Sequence, residues 1–104
     1  MSTWTSKAQF LEAVVSWSER LEAAPRHVLV RPMHKKWGSC SPQGRLTFDE
    51  ALLDVDREFG EYVIVHELLH LKVRNHGPVF TALMATYLPD WAERASVQSA
   101  LPCA

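Results

Sequence analysis

The sequence is poor in cysteine, and this scarcity excludes several classes of protein. Cys40 and Cys103 are the only cysteines, and no C-x-x-C spacing occurs. A single pair so far apart in sequence is weak evidence for a disulfide, and the chain carries no cysteine-rich zinc ribbon of the kind that binds DNA. The sequence therefore predicts a protein of the reducing cytoplasm.

Long apolar runs are also absent. No stretch approaches the roughly 20 residues that a helix needs to span a bilayer, so no membrane segment is predicted. Residues 1–21 carry charges throughout and contain no apolar run followed by a small-residue cleavage site, which argues against a secretory signal. Without repeats or linkers, the 104 residues predict one domain over residues 1–104.

A strong net charge is missing, but the charge is unevenly distributed. The formal net charge is −1, so the whole molecule is not predicted to bind polyanions by charge alone. Between Pro25 and Phe48, however, there are five Lys or Arg residues and no acid. This basic segment indicates either a solvated hairpin surface or a lobe that attracts phosphate or an acidic substrate. Its charges are Arg26, Arg31, Lys35, Lys36 and Arg45.

The spacing of apolar residues predicts an α+β fold. Ser6 is placed to cap an amphipathic helix, which Pro25 ends. Apolar runs and turn residues then predict a strand over residues 27–33 and a β-hairpin over residues 35–48, and hence a small antiparallel sheet. Residues 51–53 either extend the second hairpin strand or form a short turn.

The second half of the chain predicts helices. Asp54 or Asp56 is expected to cap a helix over about residues 56–73. Pro78 suits the first position of the next helix, and Pro89 ends it before a last short helix that frays towards the C-terminus.

One stretch, His66-Glu67-Leu68-Leu69-His70, carries a pattern with specific chemistry. Two histidines four residues apart on a helix face the same way, about 6 Å from each other, and can bind one zinc ion. Glu67 beside the first histidine is placed to act on a zinc-bound water rather than on the metal. His76 is the natural third ligand, and three protein ligands with one open position are typical of catalytic zinc.

These residues predict zinc-assisted hydrolysis with one Zn²⁺ per chain, in which Glu67 takes a proton from water and passes it to the leaving amine. Tyr87 and Arg94 are candidates for the donor that stabilises the oxyanion, with core packing and a surface ion pair as the alternative interpretations. Val73 stands where the metzincin pattern has glycine. We therefore expect the helix to continue to about Arg74 before the chain delivers His76.

Four segments, taken together, resemble the YgjP-like metallopeptidases, which are relatives of the SprT-like and WLM zinc peptidases. The segments are Trp37–Ser41, Val65–Leu71, Asn75–Phe80 and Tyr87–Asp90, within about residues 28–95. The resemblance implies a minimal zincin-like fold with a small sheet packed on the active-site helix. It also implies that His66, His70 and His76 are zinc ligands and that Glu67 is the catalytic acid and base. Asp49-Glu50 departs from the asparagine and aromatic residue that relatives tend to have there, so substrate recognition is expected either to differ or to be minimal.

The predicted hairpin gains a role from this resemblance. In zincins a substrate peptide lies antiparallel to a strand at the upper rim of the cleft and adds to it through backbone hydrogen bonds. Trp37, Gly38, Ser39 and Cys40 are the candidate substrate-binding residues at that rim. The alternatives are a core role for Trp37, a bulge at Gly38 and a small buried side chain at Cys40.

Three functions are compatible with these features. The first is a zinc-dependent metallopeptidase acting on peptide or protein. The second is a metal-dependent hydrolase of a phosphate-containing small molecule, suggested by the basic segment. The third is a non-catalytic module that binds protein or DNA. DNA is considered as a partner because SprT-like and WLM relatives act on protein attached to DNA. No oligomeric state is predicted.

Overall fold

The computed structural model describes residues 3–96 of the chain, which form four α-helices, three strands and one 3-10 helix. The predicted α+β class is confirmed. In chain order the elements are α1 (Lys7–Leu21), β1 (His27–Arg31), β2 (Gly38–Cys40), β3 (Arg45–Asp49), the 3-10 helix (Glu50–Asp54), α2 (Arg57–Leu69), α3 (Pro78–Tyr87) and α4 (Trp91–Ser96). None of the helices in this described part is long and apolar enough to cross a membrane.

The sheet has the order β1-β3-β2 and is mixed. β2 and β3 pair antiparallel, with Gly38 opposite Phe48 and Cys40 opposite Leu46, which confirms the hairpin. β1 pairs parallel with β3, so the expectation of an antiparallel sheet holds for the hairpin alone. The reason lies in burial: Leu46 and Phe48 are both fully buried, and this places β3 in the centre with a neighbour on each side.

α1 begins and packs as predicted. The Ser6 hydroxyl accepts a hydrogen bond from the Gln9 N–H at 3.1 Å and caps the helix. The helix ends at Leu21, where Glu22 takes a left-handed conformation with φ 53°, and therefore stops before Pro25. A stripe at helical spacing enters the core, and it consists of Phe10, Val14, Trp17 and Leu21.

Residues 51–53 belong to the 3-10 helix rather than to the strand. The buried Asp49 carboxylate accepts hydrogen bonds from the N–H groups of Ala51 at 3.2 Å and of Met33 at 3.3 Å. The first bond caps the 3-10 helix, and the second fixes the loop of residues 32–36 between β1 and β2. Asp49 is therefore a structural residue that ties this loop to the end of the central strand.

α2 is the central helix of the fold, and it packs against α1, β2, α3 and α4. Asp56 caps it through a bond from the Glu58 N–H at 3.0 Å. Gly60 is required inside the helix because a Cβ at this position would lie 2.6 Å from the Trp4 indole nitrogen. Most of the second half of α2 is buried, so the helix is held on nearly every side.

The end of α2 corrects the prediction. The helix ends at Leu69 and does not continue to Val73 or Arg74. The N–H groups of His70, Leu71 and Lys72 bond instead to carbonyls three residues earlier, at 3.2, 3.0 and 2.9 Å. The last turn is therefore tightened and closes the helix early. Pro78 starts α3 as predicted, whereas the expected fraying towards residue 104 lies outside the described residues.

Candidate metal centre

Three histidine side chains converge at one point between α2 and α3. His66 and His70 lie one turn apart near the end of α2, and His76 comes from the loop before α3. The His76 Nε2 atom lies 3.1 Å from Nε2 of His66 and 2.8 Å from Nε2 of His70. The structure thus brings together the three residues that the sequence singled out as ligands, and they form a group that could hold a metal ion.

The donor set fits a divalent metal such as zinc. Three nitrogens bound tetrahedrally at 2.0–2.1 Å lie about 3.3–3.4 Å apart, which is close to the two distances in this cluster. Imidazole nitrogens are also among the ligands that zinc prefers. The site therefore has the right atoms at nearly the right separation.

The orientation of His70 is set from outside the cluster. Its Nδ1 atom lies 3.1 Å from the backbone oxygen of Val73. A carbonyl oxygen can only accept, so Nδ1 carries the proton and Nε2 keeps its lone pair towards the centre. The tight turn after α2 therefore favours the tautomer of His70 that a metal ligand needs.

Phe80 on α3 packs against all three imidazoles. Its ring centroid lies 4.8 Å from that of His70 and 5.0 Å from those of His66 and His76. Phe80 is buried, and Pro78 fixes the start of the helix that carries it. The position of the exposed His76 therefore depends on the docking of α3, which spacing within the motif does not reveal.

Glu67 lies next to His66 in sequence, but its side chain is packed under β2. It is 0 % exposed, and within the described part of the chain neither carboxylate oxygen has a hydrogen-bond partner. Burial raises the pKa of Glu67 to about 8, although the positive charges of Lys36 and Arg74 act to lower it. A buried carboxyl group without partners is costly in a purely structural role and is typical of functional sites.

We expect this carboxyl group to make the metal-free protein less stable as the pH rises from about 4.5 to about 8. In that window the folded state keeps a proton on Glu67 that the unfolded state, with the ordinary pKa of 4.5, has released. Stability therefore falls with rising pH. In chelator, Glu67→Gln should gain about 4 kcal/mol over the wild type between the two ends of the window, measured by urea unfolding. Parallel pH profiles of the two proteins would contradict this assignment.

The four candidate rim residues have different environments. Trp37 is 6 % exposed and its ring meets Phe59 edge-on at 5.3 Å, so the side chain is a core residue, as one of the two interpretations had it. Cys40 is a buried free thiol, whose pKa burial raises. Gly38 is where β2 touches Glu67, since a Cβ there would lie 3.0 Å from Cγ and 3.2 Å from Oε2 of that residue. Ser39 is partly exposed on the opposite face.

The two candidates for the oxyanion donor are placed differently from each other. Arg94 forms ion pairs with Asp90 at 2.9 Å and with Glu61 at 3.3 Å, which is the surface ion pair of the alternative interpretation. Tyr87 is partly buried and packs against the core at the end of α3. The structure brings neither side chain to the histidine cluster.

Tyr62 and Arg74 are near the site and were missed by the sequence reasoning. The Tyr62 ring lies 5.8 Å from that of His66, and both line an apolar pocket of about 170 Å³ that also contains Trp91. Tyr62 lies four residues before His66, and this helical spacing could have predicted their contact.

The Arg74 guanidinium donates to the backbone oxygens of Cys40 at 3.0 Å and of His70 at 3.3 Å. It thereby ties β2 to the end of α2, over a separation that no local pattern reveals.

Comparisons with known proteins agree with this fold. Residues 3–97 match the family model described as YgjP-like, metallopeptidase domain. The fold is similar to the crystal structure of the metallopeptidase zymogen abylysin of Pyrococcus abyssi, at 21% identity and a TM-score of 0.76, covering 91% of this chain and 99% of that one. It is also similar to the zymogen jannalysin of Methanocaldococcus jannaschii, at 23% identity and a TM-score of 0.71, covering 85% and 90%. No curated protein matches the chain.

Proposed function

The chain belongs to the YgjP-like metallopeptidase domain family, and from that premise we propose that it is a zinc-dependent peptidase with Glu67 as its general base and acid. One observation carries the proposal: three imidazoles converge, and the residue that follows the first of these histidines is a fully buried glutamate without a hydrogen-bond partner in the described residues. The family supports a peptide or protein substrate over a phosphate-containing small molecule and over a non-catalytic module. The cytoplasmic location and the single domain over residues 1–104 stay predictions.

His66, His70 and His76 would hold the zinc ion. When bound, zinc polarises the carbonyl of the substrate and lowers the pKa of its water to about 7. The Val73 carbonyl keeps the His70 proton on Nδ1, and Phe80 limits the movement of all three rings. The protein thus supplies three oriented nitrogen donors, and no fourth His, Cys, Asp or Glu of the described residues joins their group.

Glu67 would move the proton. It accepts a proton from the attacking water and then delivers it to the amine that leaves when the peptide bond breaks. Both transfers require a carboxyl group that can hold and release a proton near neutral pH, and burial raises its pKa in that direction. Contact with β2 and the helical backbone of α2 keep the carboxylate in place between the two steps.

The open edge of β2 would bind the substrate backbone. The Asp49 N–H bonds to the Trp37 oxygen and the Ser41 N–H to the Arg45 oxygen, both at 2.9 Å, so these positions of the strand point towards β3. By the antiparallel alternation, Gly38 and Cys40 direct their backbone groups away from β3. Arg74 already occupies the Cys40 oxygen. By the same alternation, the N–H and C=O of Gly38 would be offered to an added peptide strand. The paired substrate residue would then lie beside Glu67.

We expect Gly38→Ala to lower the rate of peptide cleavage about tenfold to a hundredfold without weakening zinc binding. The added methyl group would press on Glu67, and displacements of this kind at a catalytic group reduce rates strongly. Gly77→Ala is the matched control, because a Cβ at Gly77 meets nothing within 4 Å. Cleavage assays and zinc titrations of both variants check this. Equal activity of the two variants would show that Gly38 does not set the position of Glu67.

The peptidase activity is tested by zinc addition and removal. The metal-free protein is incubated with a mixture of unrelated peptides, and products are identified by mass spectrometry before and after one equivalent of zinc is added. Cleavage that appears with zinc and disappears with chelator supports the proposal. A fully zinc-loaded protein that cleaves none of the peptides would count against it.

A further inference from the structure

The face of the sheet that points away from the core is strongly basic. Strand alternation places Ser39 and Thr47 on this outer face, opposite each other on β2 and β3. With the loop of residues 32–36 they border a groove of about 450 Å³. Its polar and charged lining consists of Arg31, His34, Lys35, Lys36, Ser39 and Thr47.

No acidic side chain lines this groove. The carboxylate of Asp49 in β3 is buried, and it accepts hydrogen bonds from two backbone N–H groups, one of which belongs to Met33 in the loop. The ion pairs of the described residues all involve Arg94, so the positive groups of the groove are not paired with acids. At the other end of the same face Arg26 and Arg45 border a second hollow.

The groove and the candidate active site lie on opposite faces of β2. Ser39 lies between Gly38 and Cys40 on β2, the strand whose open edge faces the substrate. Anything bound along β2 therefore has the catalytic glutamate on one side and the basic face on the other.

We propose that this face receives acidic side chains of the substrate peptide, an inference that rests on the peptidase function proposed above. A strand added to β2 directs alternate side chains to opposite faces of the sheet. The residue paired with Gly38 faces the active site, and its two neighbours face outward, on the side of Ser39 and the groove. Substrates would thus carry Asp or Glu at two positions that flank the residue paired with Gly38.

A peptide suits this face better than a nucleic acid does. The groove begins at a strand edge that offers backbone hydrogen bonds, and a peptide strand can use these bonds whereas a phosphate backbone cannot. The net charge of −1 also gives a long polyanion no overall attraction to the molecule. The single carboxylates of a peptide that pairs with β2 would instead interact mainly with the nearby positive charges of the groove.

The test uses three peptides that differ only at two alternate positions, which carry Glu, Gln or Lys. Dissociation constants are measured by fluorescence anisotropy with zinc-loaded Glu67→Gln, and kcat/KM is measured with the zinc-loaded wild type. We expect the Glu peptide to bind about tenfold more tightly than the Gln peptide, the Lys peptide to bind most weakly, and the differences to shrink in high salt.

Lys35→Glu provides the charge reversal, and Lys7→Glu on α1 is the matched control, since both lysines are exposed. Lys35→Glu should abolish the preference for the Glu peptide, whereas Lys7→Glu should keep it. Equal affinities of the three peptides would overturn the inference while their cleavage still supports the peptidase function. The predicted order of affinities without any cleavage would support the basic face and overturn the peptidase function. Displacement of the Glu peptide by an equal concentration of a DNA oligonucleotide would assign the face to nucleic acid and overturn the inference.

Discussion

Replacing Glu67 with glutamine should reduce kcat/KM for peptide cleavage roughly a thousandfold while one zinc ion per chain is retained. Glutamine has nearly the same shape as glutamate, so it fills the buried space under Gly38. It cannot accept the proton of the attacking water, and the step that depends on general base catalysis is lost. Because Glu67 does not belong to the group of candidate metal ligands, which consists of three histidines, the zinc content should not change.

Glu12→Gln is the control for this change, since Glu12 is an exposed glutamate on α1 and makes the same substitution far from the site. Its kcat/KM should equal that of the wild type. Cleavage and zinc content are measured on the same preparations. Full activity in Glu67→Gln would eliminate the mechanism, and loss of zinc in that variant would place Glu67 among the ligands.

Saturating zinc should raise the thermal midpoint of the wild type by roughly 16–32 °C, and His76→Ala should lose most of that gain. A ligand at about a thousand times its dissociation constant contributes about 4 kcal/mol, and each kcal/mol shifts the midpoint of a domain this small by about 4–8 °C. His76 closes the cluster from a loop, and its removal leaves two imidazoles on α2 that bind zinc more weakly.

His27→Ala is the matched control, because His27 is an exposed histidine on β1 outside the cluster. Differential scanning calorimetry with and without zinc should give the wild-type shift for this variant. If His76→Ala kept the full shift, the third ligand would have to come from another residue.

The sequence predicted the parts of the site that depend on local geometry. His66 and His70 follow from helical spacing, and His76 follows from its distance to them, since all three lie within eleven residues. The contacts that fix these side chains join distant positions instead. Arg74 reaches Cys40 across 34 residues, and Phe80 meets the histidines only after α3 has docked. Pairings of this kind depend on tertiary packing and have no periodic signature.

The fold follows the same division. The Ser6 cap and the hairpin were predictable because they are made within a few residues of chain. The parallel pairing of β1 with β3 was not, because it depends on which strand takes the most buried position. The end of α2 was predicted too late, since apolar spacing continues past Leu69 while the hydrogen bonds tighten there. That early ending directs the Val73 carbonyl to His70, and it therefore contributes to the site.

The most direct measurement of the central claim is X-ray absorption spectroscopy of the zinc-loaded protein. We predict one zinc ion per chain that is bound by three imidazole nitrogens at about 2.0–2.1 Å and by one oxygen atom as the fourth ligand. Loss of one imidazole from the zinc ion in His76→Ala would identify His76 as the third nitrogen ligand. A sulfur at about 2.3 Å, or a protein that retains no zinc after dialysis, would contradict a catalytic centre built from His66, His70 and His76.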